Sequence, residues 1–317
     1  MQTDKIILQD THATLQQSFV NALAQRGKLY IRKKLTEDEY ENILPEVEIM
    51  VTSGGSKVPE EYMKKCPKLR LISDFGVGYD GVDVEAAKRR GIMVTNTPGV
   101  MKDDVADTAI ALMLNSVRRF VAAHNYEREG HWPEGAFPLS RSVTGLKVGI
   151  AGLGRIGAEI ASRALAFKTE VAYFQRHRAQ VPYPYFDNLK DLAEWSDVLI
   201  IIMPATATTR GIVNQDILQA LGSDGYLINV ARGSIVDQEA LAQALLKGTI
   251  AGAGLDVFAR EPEVPPEFLA LPNLVLAPHI GSATTATRNA MADLVLKNID
   301  AYIAGKPLPT PVPELAR

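Results

Sequence analysis

Apolar and polar residues follow two rhythms along this chain of 317 residues. Short apolar runs rich in β-branched residues, typical of strands, alternate with stretches whose apolar residues recur every three or four positions, as in helices. This alternation indicates parallel βα units in a small open sheet. In the first third of the chain the pattern predicts strands at residues 6–8, 29–31, 49–51, 69–73 and 92–95, and helices near 15–24, 37–43, 60–65 and 84–89.

The same alternation returns in the second half of the chain and predicts another parallel sheet. Right-handed crossovers would place helices on both faces of this sheet, so ligands are expected at the carboxyl ends of its strands. A last helix, predicted at 285–304, can return to the first domain and make that domain discontinuous. The strands are predicted at residues 146–151, 170–174, 198–203, 226–230, 252–257 and 274–276, with helices at 215–221 and 237–246 among them.

A long helical pattern connects the two halves. It follows the turn at residues 97–99, and Asp103 and Asp104 are placed to cap its start. Two interpretations stay open: a core helix, or a helix that links two domains and packs in a dimer interface, with Trp132 in the loop after it reaching the neighbouring subunit. The apolar side chains at helical spacing are Val105, Ala109, Leu112, Met113, Val117, Phe120 and Val121.

A glycine-rich turn opens the second half of the chain, directly after the apolar run at 146–151. In the pattern G-x-G-x-x-G the first glycine permits the tight turn, the second lets a pyrophosphate approach the backbone, and the third lets helix and strand pack closely. The N-terminus of the following helix adds unpaired N–H groups. The sequence therefore predicts a dinucleotide site, and the residues expected to contact the cofactor here are Gly152, Leu153, Gly154, Arg155, Ile156 and Gly157.

The end of the next strand distinguishes two cofactors. An acidic residue about 20 positions past the glycines binds the ribose of NAD, whereas a nearby arginine accommodates the phosphate of NADP. Here strand 170–174 is followed by Gln175, Arg176, His177 and Arg178, with no carboxylate. Arg176 offers a planar fork of donors to a phosphate, and Gln175 can donate without repelling it. We expect NADP(H) to be bound here, with NAD(H) as a weaker alternative; the other interpretation is a solvated basic loop.

Three polar stretches fall just after strand ends in the second half, at residues 229–233, 256–262 and 278–282. A hydride acceptor such as a 2-oxo acid needs a cation for its carboxylate, a proton donor for its ketone oxygen, and a group that holds the donor. Arg232, His279 and Glu261 supply these three roles. Taken singly, each has an ordinary interpretation as a surface ion pair, a structural histidine or a solvated acid.

Composition limits the classes of function. The chain is 46% hydrophobic and 22% charged, with a net charge of −3. It has no long basic run of the kind that binds nucleic acid or a membrane surface. Cys66 is the only cysteine, which excludes an intramolecular disulfide and a thiolate metal cluster, and no metal site is expected. The N-terminal segment lacks the pattern of a signal peptide, and no apolar run reaches the roughly 18 residues of a membrane span. We therefore expect a cytoplasmic protein of about two domains.

Several longer motifs occur in order along nearly the whole chain. They are FGVGYD from residue 75, VTNTPG from 94, DVADTA from 104, GLGRIG from 152, NVARGSIVD from 229, AGLDVFAREP from 253 and PHIGSAT from 278. With these motifs the chain resembles the D-specific 2-hydroxyacid dehydrogenase family. Within that family the basic loop at Gln175 and Arg176 and the stretch at 308–312 are most similar to the NADPH-dependent glyoxylate, hydroxypyruvate and hydroxyphenylpyruvate reductases.

The resemblance implies an α/β fold in which a Rossmann-type doubly wound parallel sheet domain accompanies a smaller flavodoxin-like α/β domain. Residues 1–98 and 286–317 would form a discontinuous substrate-binding domain and residues 99–285 the dinucleotide-binding domain, with the active-site cleft between them. The family pattern implies that Arg232 grips the substrate carboxylate and polarises the ketone, that His279 is the acid/base, and that Glu261 pairs with the imidazole. Held by a carboxylate, His279 would stay protonated to a higher pH than a free imidazole.

Further contacts are implied by the same resemblance. The residues that would contact the cofactor, besides Arg232 and His279, are Thr108, Pro204, Thr209, Val230, Ala231, Asp256 and Gly281. The backbone N–H groups that would bind substrate, besides those two side chains, lie at Ser53, Gly54, Gly55, Gly76 and Val77. The loop at Ser53 differs from the commonest sequence of the family at this place. The substrate therefore stays open among glyoxylate, hydroxypyruvate and aryl pyruvates.

We therefore predict a homodimeric enzyme that reduces a small 2-oxo acid with NADPH to the D-2-hydroxy acid. One alternative is a formate- or phosphite-type dehydrogenase on the same fold, although formate-specific relatives carry an amide where this chain has Glu261. The other is a non-catalytic, corepressor-like protein that senses dinucleotides, which would bind the cofactor without turnover of any 2-oxo acid.

Overall fold

In the computed structural model, which describes residues 4–11 and 15–316, the strands run in two parallel sheets. The strands are β1 (Ile6–Gln9), β2 (Lys28–Ile31), β3 (Ile49–Thr52), β4 (Leu71–Asp74), β5 (Met93–Thr95), β6 (Lys147–Ala151), β7 (Glu170–Phe174), β8 (Tyr185–Phe186), β9 (Val198–Ile201), β10 (Tyr226–Asn229), β11 (Gly252–Leu255) and β12 (Leu274–Leu276). The α-helices are α1 (Gln17–Ala24), α2 (Glu37–Ile43), α3 (Glu60–Lys65), α4 (Val84–Arg89), α5 (Lys102–Arg118), α6 (Phe120–Arg128), α7 (Arg155–Ala166), α8 (Leu189–Trp195), α9 (Gln215–Leu221), α10 (Gln238–Leu246), α11 (Pro266–Leu269) and α12 (Thr285–Ile303).

These elements belong to two compact units. The N-terminal unit comprises Met1–Val100 together with Thr285–Arg317, and the central unit comprises Met101–Thr284. Residues 1–3, at the start of the segment inspected for a signal peptide, lie outside the described residues. The assignment of substrate binding to one unit and of dinucleotide binding to the other stays a prediction.

The sheet of the N-terminal unit has the order β2-β1-β3-β4-β5, and all its strands are parallel. This is the flavodoxin-like order, in which the direction of winding reverses between β1 and β3. All residues of β3 and β4 are buried, as expected for central strands of a parallel sheet that is covered on both faces. Helix α12 packs against β4 and α1, so the C-terminal segment completes this unit.

The sheet of the central unit has the order β12-β11-β10-β9-β6-β7-β8, again with every strand parallel. This is the doubly wound dinucleotide-binding order, extended by a seventh strand. The winding reverses between β6 and β9, and ligands bind beside such a reversal at the carboxyl ends of the strands. The G-x-G-x-x-G turn leaves β6 at this point, so the topology places it where a dinucleotide would bind.

The predicted strands and helices overlap those of the structure, but three short elements were not predicted. Strand β8 has two residues, α8 seven and α11 four, too few for a hydrophobic period to show. The predicted strands at 198–203, 226–230 and 252–257 also ran one or two residues too far. Their last residues are loop residues that leave the sheet edge.

The prediction of one long helix was wrong at both ends. Arg119 adopts a left-handed conformation, with φ 53°, and ends α5. Phe120 and Val121 therefore belong to α6, where both are exposed. Asp103 and Asp104 are not caps, because the N-cap residue is Met101 and no side chain caps this helix. They lie in the first turn of α5, where carboxylates still interact favourably with the helix dipole.

Helix α5 is nonetheless a core helix of the central unit. Its apolar residues Val105, Ala109 and Met113 are buried, and the helix packs against α7, β10 and β11. No α-helix within the described residues has the length and apolar character needed to cross a bilayer. The described residues also contain no cluster of three or more His, Cys, Asp or Glu side chains suited to a metal ion.

Candidate active site

Three neighbouring strands of the central unit end at one edge of the sheet, and each is followed by one of the predicted catalytic side chains. Strand β10 leads to Arg232, β11 to Glu261 and β12 to His279. Because parallel strands present their carboxyl ends at the same edge, Arg232 and His279, which are 47 positions apart in sequence, can meet there. The structure shows how the three loops are joined.

His279 and Glu261 form a direct pair. The imidazole Nδ1 lies 2.5 Å from the Glu261 Oε2 atom, and the backbone N–H of Phe258 donates to Oε1 at 3.0 Å. Both side chains are partly exposed, the imidazole by 45% and the carboxylate by 32%. Since Nδ1 is committed to the carboxylate, Nε2 is the nitrogen left to exchange a proton with a substrate oxygen.

The electrostatics of Glu261 link all three side chains. Burial acts to raise the pKa of Glu261, but the hydrogen bond with His279 and the charges of His279 and Arg232 outweigh burial and hold this pKa below its ordinary value. The carboxylate is therefore ionised throughout the neutral pH range. An ionised Glu261 beside Nδ1 stabilises a positive charge on the imidazole.

A buried carboxylate fixes the backbone that carries His279. Asp256 Oδ1 accepts from the N–H of Ile280 at 2.7 Å, and Oδ2 accepts from the N–H of Gly281 at 2.8 Å. His279 itself has φ 55°, a left-handed conformation that costs a residue other than glycine about 1–3 kcal/mol. Burial raises the pKa of Asp256 above its ordinary value, against the two N–H groups that act to lower it. Asp256, predicted to contact the cofactor, also holds the backbone after His279.

The Arg232 loop is shaped by an asparagine at the end of β10. The Asn229 side chain accepts from the N–H of Ala231 and donates to the carbonyl of Arg232, both at 3.0 Å. The Arg232 guanidinium donates to the carbonyl of Ala231 at 2.8 Å. Ala231 and Val230 are buried beneath this loop.

Gly233 brings the Arg232 loop against the loop that carries Glu261. A Cβ added at Gly233 would lie 2.0 Å from the carbonyl carbon of Phe258, a separation that no side chain can occupy. On the other side, the Gln238 side chain accepts from the N–H of Ala259 at 3.0 Å. The loops that carry Arg232 and Glu261 are therefore in backbone contact, and a glycine is required between them.

The glycine-rich turn has the geometry of a pyrophosphate cradle. Gly152 has φ 106°, and a Cβ there would lie 2.8 Å from the backbone nitrogen of Met203, just after β9. A Cβ at Gly157 would lie 2.1 Å from the carbonyl oxygen of Gly152, whereas nothing lies within 4 Å of a Cβ at Gly154. The open space at Gly154 and the uncapped N-terminus of α7 fit a pyrophosphate. Of the other turn residues, Leu153 is buried, Ile156 is partly buried and Arg155 is exposed.

The basic loop after β7 stands beside this cradle in the sheet order. Gln175 stabilises the turn of this loop through two hydrogen bonds. Its side-chain amide donates to the main-chain carbonyl of His177 at 2.7 Å, and its main-chain carbonyl accepts from the Tyr185 hydroxyl at 3.2 Å. Arg176 and His177 are exposed, and no carboxylate within the described part of the chain pairs with them. An arginine held at this strand end without an anion fits the phosphate of NADP.

Other predicted cofactor residues are held by contacts within the central unit. The Thr209 hydroxyl donates to the carbonyl of Pro204 at 2.8 Å, which closes the loop after β9. On α5 the Thr108 hydroxyl donates to the carbonyl of Asp104 at 2.9 Å and is partly buried. A Cβ at Gly281 would approach Asp256 Oδ2 to 2.9 Å, so this residue too must stay a glycine.

The predicted substrate loops lie in the N-terminal unit. The N–H of Ser53 donates to the Ser56 hydroxyl at 3.1 Å, and that hydroxyl donates to the carbonyl of Asp10 at 2.8 Å. The N–H of Ser53 is thus engaged within its own loop, and the contact predicted between Ser53 and a substrate stays a prediction. Among the described residues, the N–H groups of Gly54 and Gly55 meet no acceptor.

A second turn, after β4, adjoins the Ser53 loop because β3 and β4 are neighbours. A Cβ at Gly76 would lie 3.6 Å from the nitrogen of Gly54 and 2.8 Å from Asp74 Oδ2. The N–H groups of Gly76 and Val77 also find no acceptor in the part of the chain that the structure describes. Backbone N–H groups that neighbouring turns leave without an acceptor are the groups from which anion-binding concavities are formed.

Comparison with known proteins identifies the family. The model of the D-isomer specific 2-hydroxyacid dehydrogenase NAD binding domain matches residues 110–281. This chain belongs to the D-isomer-specific 2-hydroxyacid dehydrogenase family. A curated relative, the 2-ketogluconate reductase of Gluconobacter oxydans (strain 621H), is 47% identical over 87% of this chain and 89% of its own length. The hydroxyphenylpyruvate reductase of Plectranthus scutellarioides is 45% identical over 84% of this chain and 85% of its own length.

Solved structures of the family share the fold. The NADPH-dependent glyoxylate/hydroxypyruvate reductase of Sinorhizobium meliloti, in complex with NADP and malonate, superimposes with a TM-score of 0.89 at 44% identity, over 98% of both chains. The predicted family, fold class and enzyme class are thereby confirmed. This D-2-hydroxyacid dehydrogenase is an oxidoreductase whose cofactor is a nicotinamide dinucleotide.

Three residues that shape the dehydrogenase site were not predicted from the sequence. Asn229 sets the Arg232 loop, Gly233 permits the contact between loops, and Gln238 holds the backbone ahead of Glu261. An asparagine at a strand end is a recognisable turn signal. The other two act through contacts between distant segments, which a single sequence does not display.

Proposed function

We propose that this dehydrogenase reduces a small 2-oxo acid with NADPH and a proton to the D-2-hydroxy acid and NADP⁺. The observation that carries the proposal is the 2.5 Å pair between His279 and Glu261, with the charge of Arg232 close enough to influence Glu261. A cation, a proton donor and a carboxylate that holds the donor are what reduction of a 2-oxo acid requires. The names of the relatives, which are reductases of 2-ketogluconate, hydroxyphenylpyruvate and glyoxylate, support this substrate class.

The chemistry is divided among few groups. When bound, the nicotinamide supplies the hydride to the ketone carbon. Arg232 binds the substrate carboxylate through its guanidinium fork and polarises the ketone. His279 transfers a proton from Nε2 to the ketone oxygen, and Glu261 stabilises the imidazolium and holds the ring through Nδ1. Backbone N–H groups of Gly54, Gly55, Gly76 and Val77 contribute further donors to the carboxylate.

The cofactor preference rests on the loop after β7. Gln175, Arg176 and His177 stand where NAD-specific members of this fold place an acid, and the arginine has no carboxylate partner among the described residues. The NADP bound to the Sinorhizobium meliloti reductase is consistent with this proposal. The central unit would bind the dinucleotide and the N-terminal unit would bind the substrate. The enzyme would act in the cytoplasm.

We also infer a homodimer. Within the described residues, Phe120 and Trp132 are each 67% exposed and Leu139 is 98% exposed, all on one segment that leaves α5. Large apolar side chains exposed together mark protein interfaces. Light scattering at micromolar concentration should give twice the chain mass, and a monomer there contradicts this part of the proposal.

The activity itself is tested by following oxidation of reduced nicotinamide. Glyoxylate, hydroxypyruvate and phenylpyruvate are offered in turn with saturating NADPH, and the chiral products of the last two are assigned with a D-specific reference enzyme. Turnover of hydroxypyruvate or phenylpyruvate to the D-isomer, or of glyoxylate to the achiral glycolate, supports the proposal. NADPH binding without turnover of any 2-oxo acid would instead support the corepressor-like alternative.

A further inference from the structure

Gln238 is the first residue of α10, and its side chain reaches the loop that carries Glu261. The start of this helix is fixed, because the Asp237 side chain caps it. From this fixed base the side-chain oxygen of Gln238 accepts from the N–H of Ala259 at 3.0 Å. The contact joins the segment that follows Arg232 to the segment that precedes Glu261, and both segments belong to the central unit.

The side-chain amide of Gln238 contributes only its oxygen to this contact. The oxygen must face Ala259, because the amide nitrogen in its place would set one N–H group against another. The nitrogen, on the other side, is buried and has no acceptor among the described residues. A buried donor without an acceptor costs free energy, and an apolar side chain of the same length would avoid that cost. What Gln238 supplies here is therefore the acceptor for Ala259.

The stretch of backbone that contains Ala259 also holds the catalytic pair. The N–H of the preceding residue, Phe258, donates to Glu261 Oε1 at 3.0 Å, while Glu261 Oε2 lies 2.5 Å from Nδ1 of His279. The Phe258 side chain is buried, which limits the freedom of the loop at this point. Two successive N–H groups thus have separate acceptors, Glu261 for the first and Gln238 for the second.

Separate acceptors keep the carboxylate on the imidazole. Without the oxygen of Gln238, the N–H of Ala259 would compete with that of Phe258 for the Glu261 carboxylate, since an N–H group without an acceptor is costly. The carboxylate would then be drawn away from His279. We propose that Gln238 is a positioning residue for proton transfer, which keeps the Glu261 carboxylate on His279 by accepting from the N–H of Ala259. This inference rests on the proposed function and adds a residue to its proton-transfer step.

The test is a double-mutant cycle, measured with saturating NADPH and whichever of glyoxylate, hydroxypyruvate and phenylpyruvate the wild type reduces fastest. Gln238→Met keeps the length of the side chain but removes the acceptor. Its kcat should fall about 2- to 10-fold, the effect of one lost neutral hydrogen bond. KM and the Kd for NADPH should stay unchanged, because the group that is displaced acts in the chemical step. In the Glu261→Ala background no carboxylate is left to position, so Gln238→Met should lower kcat no further.

Two further variants separate positioning from stability. Gln238→Glu keeps an oxygen at the same reach and should recover most of the lost kcat. Gln243→Met makes the same change at an exposed glutamine of the same helix and should match the wild type.

Three results would overturn the inference and leave the proposed function intact. They are an unchanged kcat in a folded Gln238→Met protein, equal falls of kcat in the wild-type and Glu261→Ala backgrounds, and a Gln238→Glu protein no faster than Gln238→Met. A wild type inactive on every 2-oxo acid would overturn the proposed function, and this inference with it.

Discussion

The two units present different chemical groups at the carboxyl ends of similar parallel sheets. In the central unit the sheet edge carries the ionisable side chains Glu261, His279 and Asp256, each held by a hydrogen bond. In the N-terminal unit the edge presents unclaimed backbone N–H groups of glycine turns. We therefore expect proton transfer at the edge of the central unit and recognition of an anion at the edge of the N-terminal unit.

The difference has a physical origin. A proton donor must hold its position, and in the central unit the buried Asp256 carboxylate fixes the two backbone N–H groups that directly follow His279, the residue with left-handed φ. A site that recognises a carboxylate needs hydrogen-bond donors whose charge does not change. Main-chain N–H groups are such donors, and no side-chain conformational entropy is lost when they bind. Substitutions in the two units should therefore affect different kinetic constants.

The largest effect is expected at the proton donor. His279→Ala should lower kcat by about 10²- to 10⁴-fold, because a general acid is lost, while NADPH affinity is retained. Arg232→Ala should in addition raise KM for the 2-oxo acid, since it removes the cation matched to the carboxylate. Steady-state kinetics with glyoxylate or hydroxypyruvate, and fluorescence titration of NADPH, measure the two quantities.

His124→Ala, at a histidine outside the site on α6, is the matched control and should keep full activity. If His279→Ala retained wild-type kcat under conditions where chemistry limits the rate, the central edge would not supply the proton. The comparison between the two units would then lose its basis.

The cofactor loop should show the next largest effect. Arg176→Ala removes a charge-assisted hydrogen bond to phosphate, worth about 1.5–3 kcal/mol, so the Kd for NADPH should rise by about one to two orders of magnitude. The Kd for NADH should change little, because NADH lacks that phosphate. Binding titrations with both cofactors measure the ratio.

Arg178→Ala, in the same exposed loop, indicates whether the effect belongs to Arg176 or to the general charge of the loop. The expected loss there is smaller. Wild-type specificity constants that are equal for NADH and NADPH, or better for NADH, would refute the assignment of this loop to NADP.

Much of the central unit could be predicted from the sequence, because its signals are local. Gly152, Gly154 and Gly157 stand at fixed spacing between a strand and a helix, and the structure gives each the backbone environment that the motif requires. The sequence order also placed Arg232, Glu261 and His279 after neighbouring strands. Their roles in catalysis stay a prediction, whereas the 2.5 Å contact within the pair is observed.

Residues that act through distant segments could not be predicted in this way. Gln238 lies 21 positions before Ala259 in the sequence, and only the packing of the two loops brings them together. Ser53 was expected to bind substrate, but its N–H is taken by Ser56 three residues later, a turn that the composition of the loop did not reveal. The end of α5 depended on one left-handed residue, Arg119, whose neighbours all continue the helical pattern.

A change in the N-terminal unit should alter substrate binding alone. In Gly76→Ala the added Cβ would lie 2.8 Å from the buried Asp74 carboxylate, so the turn must shift away from its present position. We expect KM for the 2-oxo acid to rise about tenfold, the effect of about 1–2 kcal/mol of local strain, with the Kd for NADPH unchanged. Initial rates across substrate concentration measure the change.

Gly135→Ala is the control, since a Cβ there would meet its nearest neighbour, the Tyr126 hydroxyl, only at 4.0 Å. Its kinetics should match those of the wild type. An unchanged KM in a folded Gly76→Ala protein would mean that this turn does not bind the substrate carboxylate.

The smallest and most specific effect concerns pH, and it tests the charge of Glu261 rather than its shape. Because the pKa of Glu261 is lowered, the carboxylate is ionised at neutral pH and loses its charge only as the pH falls below the ordinary range of such groups, about 4.3. Glu261→Gln keeps a hydrogen-bonding partner but removes the negative charge that favours the protonated imidazole. The basic limb of the pH profile for ketone reduction should therefore move to lower pH, since the adjacent opposite charge is lost.

The measurement is kcat against pH under saturating NADPH, for wild type, Glu261→Gln and Glu263→Gln. Glu263 is an exposed acid two residues along the same segment, so its substitution removes an equal charge without touching His279. Its profile should overlay that of the wild type. An unshifted basic limb in Glu261→Gln, in a protein that binds NADPH normally and is limited by chemistry, would show that the carboxylate holds the ring in place without tuning its proton. The rate would then depend on the position of the His279 ring and not on the charge of Glu261. The two sheet edges would differ in where they place their hydrogen-bond donors, but not in the use of a charge.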